Sequence, residues 1–318
     1  MTLPVIVVAG PTASGKSALA VEIAEAFRGV VINADSMQVY ADLRVLTARP
    51  SEEDERRVPH RLYGVLDGAQ KCSAGRWREL ALAEIARVQA SGQLPVLCGG
   101  TGLYLQTLMR GIAPVPAVPA SFRAEATALH AQLGGPGFHE RLAERDPVMA
   151  ARLHPGNTQR LIRAWEVLNA TGRSLADWQA APRTGAATGL DFLSVVLLPA
   201  RAPLYAACDG RFMQMVEAGA LEEVRALVAR GLDPALPVMK ALGVRELAAH
   251  LAGEITLEEA IDRAQRETRR YAKRQVTWFR HQMEDAMIFE TGYGAKYSTS
   301  PRDEIFAKIR QSGLTARG

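Results

Sequence analysis

Continuous aliphatic runs alternate with amphipathic stretches along the first hundred positions, and each run is followed by glycine or small polar residues. LPVIVVA at 3–9 is rich in Val and Ile, the pattern of a strand covered on both faces, as in a parallel sheet. A glycine-rich turn follows, then a helix whose inner face is marked by Leu19, Ile23 and Phe27. Gly29 ends that helix, and VVIN at 30–33 predicts the next strand. This is a β-loop-α-β unit with parallel strands and an expected right-handed crossover. A short third strand is expected near Leu62–Leu66. Arg76–Ala90 predicts a helix stopped by Gly92, and Leu94–Cys98 another buried strand. The first third therefore predicts an α/β domain.

The texture changes at Ile112, where APVPAVPAS carries three prolines. From Ser121 to about Ala181 the periodicity is helical only, interrupted by GGPG (134–137), DP (146–147) and HPGN (154–157). Asn157 or Thr158 is placed to cap the helix bearing Leu161, Ile162, Trp165 and Leu168. A Gly/Thr/Ala-rich stretch, Arg183–Gly189, leads into FLSVVLL (192–198), again a buried strand. The expected organisation is a discontinuous core, 1–113 and 190–318, interrupted by a helical insertion, 114–189. Beyond 198 the pattern is mostly helical to residue 283. Thr256 and Glu259 have the spacing of a capping box that opens a long helix through Arg280. Met287–Phe289 predicts a last strand, and ARG at 316–318 is expected to fray.

Composition narrows the class. With 318 residues, 48% of them hydrophobic, the chain can bury one large core, or one plus a satellite. A net charge of +4 implies a nucleic-acid partner only where the positive residues cluster. Cys72, Cys98 and Cys208 form no CxxC pair and no His/Cys zinc spacing, so reduced thiols are expected, with Cys98 a small core residue. The first ten residues lack the basic region and cleavage-type ending of a signal peptide, and no apolar run is long enough to span a bilayer. A cytoplasmic protein is expected, without membrane or obligate protein partner, and a monomer is favoured.

The sharpest chemistry lies between the first strand and its helix. Gly10, Pro11, Thr12, Ala13, Ser14, Gly15, Lys16 and Ser17 match G-x-x-x-x-G-K-[ST] in the context that motif requires. Successive backbone N–H groups and the helix N-terminus attract phosphate. Lys16 reaches terminal phosphate oxygens, and the Ser17 hydroxyl can join the shell of a Mg²⁺ ion. The motif signifies a polyphosphate without naming it.

Asp35 stands just past the second strand, at the sheet edge where ligands bind in open parallel sheets. There it could ligate metal, accept a proton or cap the next segment. GGTGLYL (99–105) follows another buried strand, and its Thr101 offers a hydroxyl. RETRRYAKRQVTWFR at 266–280 sets Arg266, Arg269, Arg270, Lys273, Arg274 and Arg280 against one acid, Glu267, with Tyr271, Trp278 and Phe279 interleaved. That one-sided charge suits a looped nucleic acid. It is also compatible with a surface helix whose aromatics pack inward. Gln159, Arg160 and Arg163 form a second basic group in the insertion, which Arg123 opens.

Taken in order, GPTASGKS, DSMQVY (35–40), GGTGLYL, QRLIRAWEV (159–167), RFMQMVEAGALEEV (211–224), KALGVREL (240–247) and RRYAKRQVTWFR resemble the transfer-RNA dimethylallyltransferase family over nearly the whole chain. The resemblance implies a P-loop NTPase-like parallel sheet flanked by helices, with an all-helical insertion that grips the anticodon stem-loop. It implies that the phosphate loop holds dimethylallyl diphosphate, assisted by Mg²⁺. The acceptor it implies is the exocyclic amine of the adenosine immediately 3′ of the anticodon. Asp35 would be the general base, with Thr101 and Arg211 orienting acceptor and diphosphate. The implied tRNA path runs over Asp35, Ser36, Met37 and Gln38; over Thr101 and Arg123; and over Gln159, Arg160, Leu161, Ile162 and Arg163. It continues over Lys240, Ala241, Leu242, Gly243, Val244 and Arg245, and over Lys273, Arg274, Gln275, Val276, Thr277, Trp278, Phe279 and Arg280.

The chain departs from the family pattern in places. Ala41, Asp42 and Leu43 replace the usual Arg, Gly and Met after DSMQVY. Arg49 stands where lysine is common before a proline, Arg61 replaces the second histidine of a PHH triplet, and Val244 replaces a tyrosine. A P-loop small-molecule kinase or ATPase also accounts for GPTASGKS, but not for the basic aromatic helix. An RNA-binding module with a regulatory nucleotide loop leaves Asp35 and Thr101 unused.

Overall fold

The structure is a computed structural model that describes residues 4–283, 285–294, 297 and 301–314. Leu3 and the expected frayed end at 316–318 lie outside the described residues. The chain divides into two compact units, an α/β unit of residues 1–109 and 187–318 and a helical unit, Arg110–Ala186.

The α/β unit is built on a six-stranded sheet of β1 (Val5–Ala9), β2 (Gly29–Asn33), β3 (His60–Arg61), β4 (Leu94–Gly99), β5 (Phe192–Leu197) and β6 (Met287–Phe289), in the order β3-β2-β4-β1-β5-β6. Every neighbouring pair is parallel. The two-residue period of a strand explains the double covering. Val5, Val7 and Ala9 point into one apolar layer, while Ile6 and Val8 point into the other. α3 (Ala74–Ala90), α4 (Gly102–Arg110), α10 (Ala220–Ala229), α11 (Val244–Leu251) and α12 (Leu257–Gln282) fill the first layer through residues such as Ile85, Leu105, Val224, Leu247 and Ala264. α1 (Lys16–Ala26) and α13 (Arg302–Ile309) fill the second, through Leu19, Ile23, Ile305 and Ile309. Each buried Val, Leu or Ile contributes about 1.5–3 kcal/mol.

Two local expectations need correction. The third strand is only His60–Arg61. Leu62 takes a φ of 63°, which ends it, and Leu66 makes an isolated parallel bridge with Tyr40. α1 ends at Ala26, so Phe27 lies beyond it and packs edge-on against Phe306. Half of the expected capping box before α12 is present: the Thr256 hydroxyl accepts the N–H of Glu259 at 3.1 Å, while the Glu259 carboxylate pairs with Arg263 at 2.5 Å. Asp42, one of the departures from the family pattern, is held by the Arg230 guanidinium and accepts the Gly68 N–H at 2.8 Å.

The helical unit contains α5 (Ala120–Arg145), α6 (Pro147–Ala150), α7 (Thr158–Thr171) and α8 (Leu175–Ala180). α5 breaks at Gly134, whose φ of 68° and ψ of 176° interrupt the helix within GGPG. Phe138, Leu142, Leu161, Ala164 and Val167 form the core of this unit. Its two ends meet where the backbones of Ile112 and Thr184 exchange two hydrogen bonds of 3.0 Å.

Candidate active site

The phosphate loop sits where β1 hands over to α1. Gly15 takes a φ of 86°, and a side chain there would strike the Tyr293 carbonyl, so only glycine fits. Lys16 folds back so that its ammonium donates to the Pro11 carbonyl at 3.2 Å. Loss of solvent lowers its pKa, and the neighbouring Arg211 lowers it further, while Cys98 and Asp35 oppose the change.

Two remote segments brace the loop. The buried Gln275 side chain, on α12, accepts the Thr12 N–H at 2.9 Å and donates to the Gly100 carbonyl at 2.8 Å. The segment after β6 lies along the other side. The Tyr293 N–H donates to the Ser14 carbonyl at 2.9 Å, and the Tyr297 hydroxyl donates to that of Ala13 at 2.8 Å.

Asp35 is placed by the buried Asn33. Its Oδ1 accepts the Asp35 N–H at 2.8 Å, and its Nδ2 donates to the Asp35 carbonyl at 3.0 Å. The Asp35 carboxylate accepts the Met37 N–H at 2.9 Å, which leaves further acceptor capacity. The Thr101 hydroxyl oxygen accepts the Ser36 N–H at 2.9 Å and ties the two sheet-edge loops together. Its hydroxyl donates to the Ser36 hydroxyl at 3.2 Å. The phenol of Tyr271, at the same edge, is shifted upward by burial.

A cavity of about 310 Å³ opens at this edge of the sheet. Thr12, Asp35, Arg211, Tyr271, Lys240 and Arg274 bring polar groups to it, and Leu46, Phe212 and Met215 give it apolar walls. A smaller cavity of about 100 Å³ adjoins Ser17, Cys98 and Arg49. Arg211 lines both, which makes it their shared boundary. Its guanidinium lies 3.5 Å from the Thr12 hydroxyl, and burial lowers its pKa. Cys98 is buried, as expected, and its thiol is pushed up to about 11, which keeps it an unreactive neutral group.

Not every residue on the expected tRNA path faces outward. Ser36, Met37, Ala241 and Leu242 line the larger cavity. Gln38 instead donates to the carbonyls of Thr47 and Ala48 at 2.9 and 2.8 Å, fixing the loop behind the site. Val244 and Phe279 are buried in the core of the α/β unit, Gln275 is the internal brace, and Val276 packs inward. Their side chains are structural. Gly243 has a φ of 89°, with Phe212 and Leu46 against it. Trp278 packs across Gly102, where any side chain would clash with the indole. Lys273, Arg274, Thr277, Arg280 and Arg245 are exposed.

The basic run on α12 is less one-sided than its sequence suggests. Arg269 pairs with Asp209 of α9 (Arg201–Glu217) at 2.6 Å, and Arg270 pairs with Glu267 at 2.5 Å. In the helical unit, Leu161 and Ile162 belong to the core. Arg123 and Arg163 converge on the buried carboxylate of Glu166, at 3.2 and 2.6 Å. Gln159 and Arg160 are exposed on that unit.

Phe212, Met215 and Thr268 are cavity walls that the sequence does not single out, and Tyr271, noted there only as an aromatic within the basic run, joins them. A signal exists nonetheless: Cys208, Arg211, Phe212 and Met215 recur at helical spacing on α9, as do Thr268, Tyr271 and Arg274 on α12.

A model of the family described as IPP transferase matches residues 38–282. The chain belongs to the IPP transferase family. It is 60% identical to the tRNA dimethylallyltransferase of Rhodospirillum centenum, over 92% of this chain and 93% of that one. It is 57% identical to the enzyme of the same name from Paramagnetospirillum magneticum, over 98% of both chains. Among solved structures, it resembles the tRNA isopentenylpyrophosphate transferase of Bacillus halodurans with a TM-score of 0.68 and 32% identity, covering 97% of this chain and 95% of that one. It resembles a eukaryotic dimethylallyltransferase acting on tRNA with a TM-score of 0.75 and 28% identity, over 91% and 74% of the two chains. No helix among the described residues is long and apolar enough to cross a membrane.

Proposed function

We propose that this chain is a tRNA dimethylallyltransferase. It moves the dimethylallyl group of dimethylallyl diphosphate to the exocyclic N6 amine of the adenosine immediately 3′ of the anticodon. The observation that carries this reading is the shared cavity: Thr12 of the phosphate loop, Arg211 and the Asp35 carboxylate all line it. A polyphosphate held by the loop therefore has both a cation and a proton acceptor within one chamber.

The residues divide the reaction between them. As the donor's allylic C–O bond breaks, negative charge builds on the departing diphosphate. The loop amides, Lys16 and Arg211 stabilise it there. The new bond forms from the adenine nitrogen to that carbon. The amine is a poor nucleophile until it sheds a proton, and Asp35 takes it. Leu46, Phe212 and Met215 keep water from the allylic centre. Thr101 positions the Asp35–Ser36 turn through the Ser36 N–H.

Mg²⁺ fits as an assistant to the diphosphate. Among the described residues no group of three or more His, Cys, Asp or Glu could hold a metal. The Ser17 hydroxyl, exposed at the start of α1, would share the ion with phosphate oxygens and water. When bound there, the ion supplies further charge neutralisation to the leaving group.

Lys240, Arg274, Lys273 and Arg280 offer exposed cations to the RNA backbone on the α/β unit, and Arg160 does so on the helical unit, beside Gln159. A target base must leave its stack to enter the chamber, which an anticodon loop permits more cheaply than a duplex. The decisive experiment incubates the protein with a defined anticodon stem-loop, labelled donor and Mg²⁺, and then analyses the nucleosides by mass. Appearance of the label on the adenosine 3′ of the anticodon is expected. Transfer of a phosphoryl group from ATP to a small molecule, with no labelled adenosine, would establish the kinase reading instead.

A further inference from the structure

We propose that Arg49 is a third cation of the diphosphate site, gripping the leaving group from the smaller cavity beside Ser17. This rests on the diphosphate reading of the loop and adds to it a residue outside the P-loop and outside α9.

The case starts with the segment that presents Arg49. A single carboxylate, Glu223 of α10, gathers three successive backbone N–H groups, those of Arg44 and Val45 at 2.7 Å and of Leu46 at 2.9 Å. Gln38 holds the carbonyls of Thr47 and Ala48 from the other direction, and the Arg49 N–H closes back onto the Arg44 carbonyl at 3.0 Å. Ala48 takes a φ of 50°, a left-handed conformation that costs a non-glycine residue energy. Arg49 is therefore delivered by a turn that is over-determined on both sides.

The side chain so delivered lacks a counter-ion. Its Nε is buried without a hydrogen-bond partner, and Nη1 has only a 3.5 Å contact with the Ala41 carbonyl. No ion pair involves it among the described residues. The nearby acids are committed elsewhere. Glu55 pairs with Arg44 at 3.3 Å, and Glu223 is saturated by amides. Asp54, which shares the cavity, caps its own helix, α2 (Glu52–Arg57), by accepting from the Ser51 N–H and hydroxyl at 3.2 and 2.7 Å. Gly64 leaves room for the guanidinium, since any side chain there would collide with it.

Arg49 and Arg211 both line the smaller cavity with Ser17, and partial burial lowers the pKa of each. Two partly desolvated guanidinium groups with no carboxylate partner, beside a phosphate loop, form a cradle for an anion with two phosphoryl groups. A planar fork suits bidentate contact with phosphate.

The test is the affinity of the full-length protein for inorganic diphosphate with Mg²⁺, measured by calorimetry without RNA or donor. Arg49→Gln should weaken binding about 10- to 100-fold, as expected when a charge-assisted hydrogen bond is removed. Arg49→Lys should recover part of it, and anticodon stem-loop affinity should be unchanged in both. To guard against misfolding of the glutamine variant, phenylglyoxal modification of the wild-type protein should be blocked at Arg49 by diphosphate. Wild-type diphosphate affinity in Arg49→Gln, or labelling of Arg49 unaffected by diphosphate, overturns the assignment. Failure of the wild-type protein to bind diphosphate at all overturns the underlying reading of the loop as well.

Discussion

Gln275 and Thr12 lie 263 residues apart in sequence, yet the carboxamide oxygen of the first accepts the backbone N–H of the second at 2.9 Å. The same side chain donates to the Gly100 carbonyl, so one residue sets the spacing between the phosphate loop and the Thr101 loop. Gln275→Leu removes both bonds and leaves buried backbone groups unsatisfied. A stability loss of about 1–3 kcal/mol is expected in denaturant titration, together with weaker donor binding. Unchanged donor KM in the variant would show that the two loops keep their spacing without it.

Asp35 tests the proton acceptor. Asp35→Asn preserves the hydrogen bond to the Met37 N–H but not the basicity. Single-turnover transfer should fall by about 10²- to 10⁴-fold, while stem-loop affinity stays within error. A rate near that of the wild type would remove Asp35 from the chemistry.

The α12 cations divide into paired and unpaired groups. Replacing Lys273 and Arg274 with Gln should flatten the salt dependence of RNA binding by about 0.7 log units for each phosphate that is no longer neutralised. Arg269→Gln, which breaks the pair with Asp209, should lower thermal stability and leave that slope alone. Salt-slope titrations of the two variants distinguish these outcomes, and equal slopes would mean that pairing does not sort their roles.

Lys16 gives a pH prediction with a definite sign. Its pKa in the folded protein lies below the usual 10.5 because it is desolvated and sits near Arg211. Between the lowered value and 10.5 the unfolded chain binds more protons than the native one, so this residue's contribution makes stability rise with pH. Ligand binding acts oppositely: an anion requires the protonated form, so diphosphate affinity should decline as pH climbs through the lowered value. Lys16→Met should abolish both trends, as measured by denaturation and calorimetry across the alkaline range.

What could be read from sequence was whatever depends on neighbouring residues. The aliphatic runs, the G-x-x-x-x-G-K-S turn and the cap at Thr256 are local, so five of the strands and the phosphate loop were legible. His60–Arg61 was misplaced because two residues carry almost no periodicity. At the site, Asp35 and Thr101 were legible as residues at strand ends. The partners of the cations were not. Asp209 is 60 residues from Arg269, and Glu166 looks like an ordinary helix acid until Arg123, 43 residues earlier, folds onto it. Gln275 and Phe279 sit within a basic run, and only the direction of each helix face separates them from Arg274 and Arg280.

The bracing of the phosphate loop by Gln275, Tyr293 and Tyr297 also bears on biosynthesis. The loop leaves the ribosome more than 250 residues before the first of its props, Gln275. Until residue 297 has emerged, a nascent chain carries the glycine-rich turn without its supports. Catalytic competence thus waits on these props, and a product cut short before Gln275 would hold the motif but not the finished pocket.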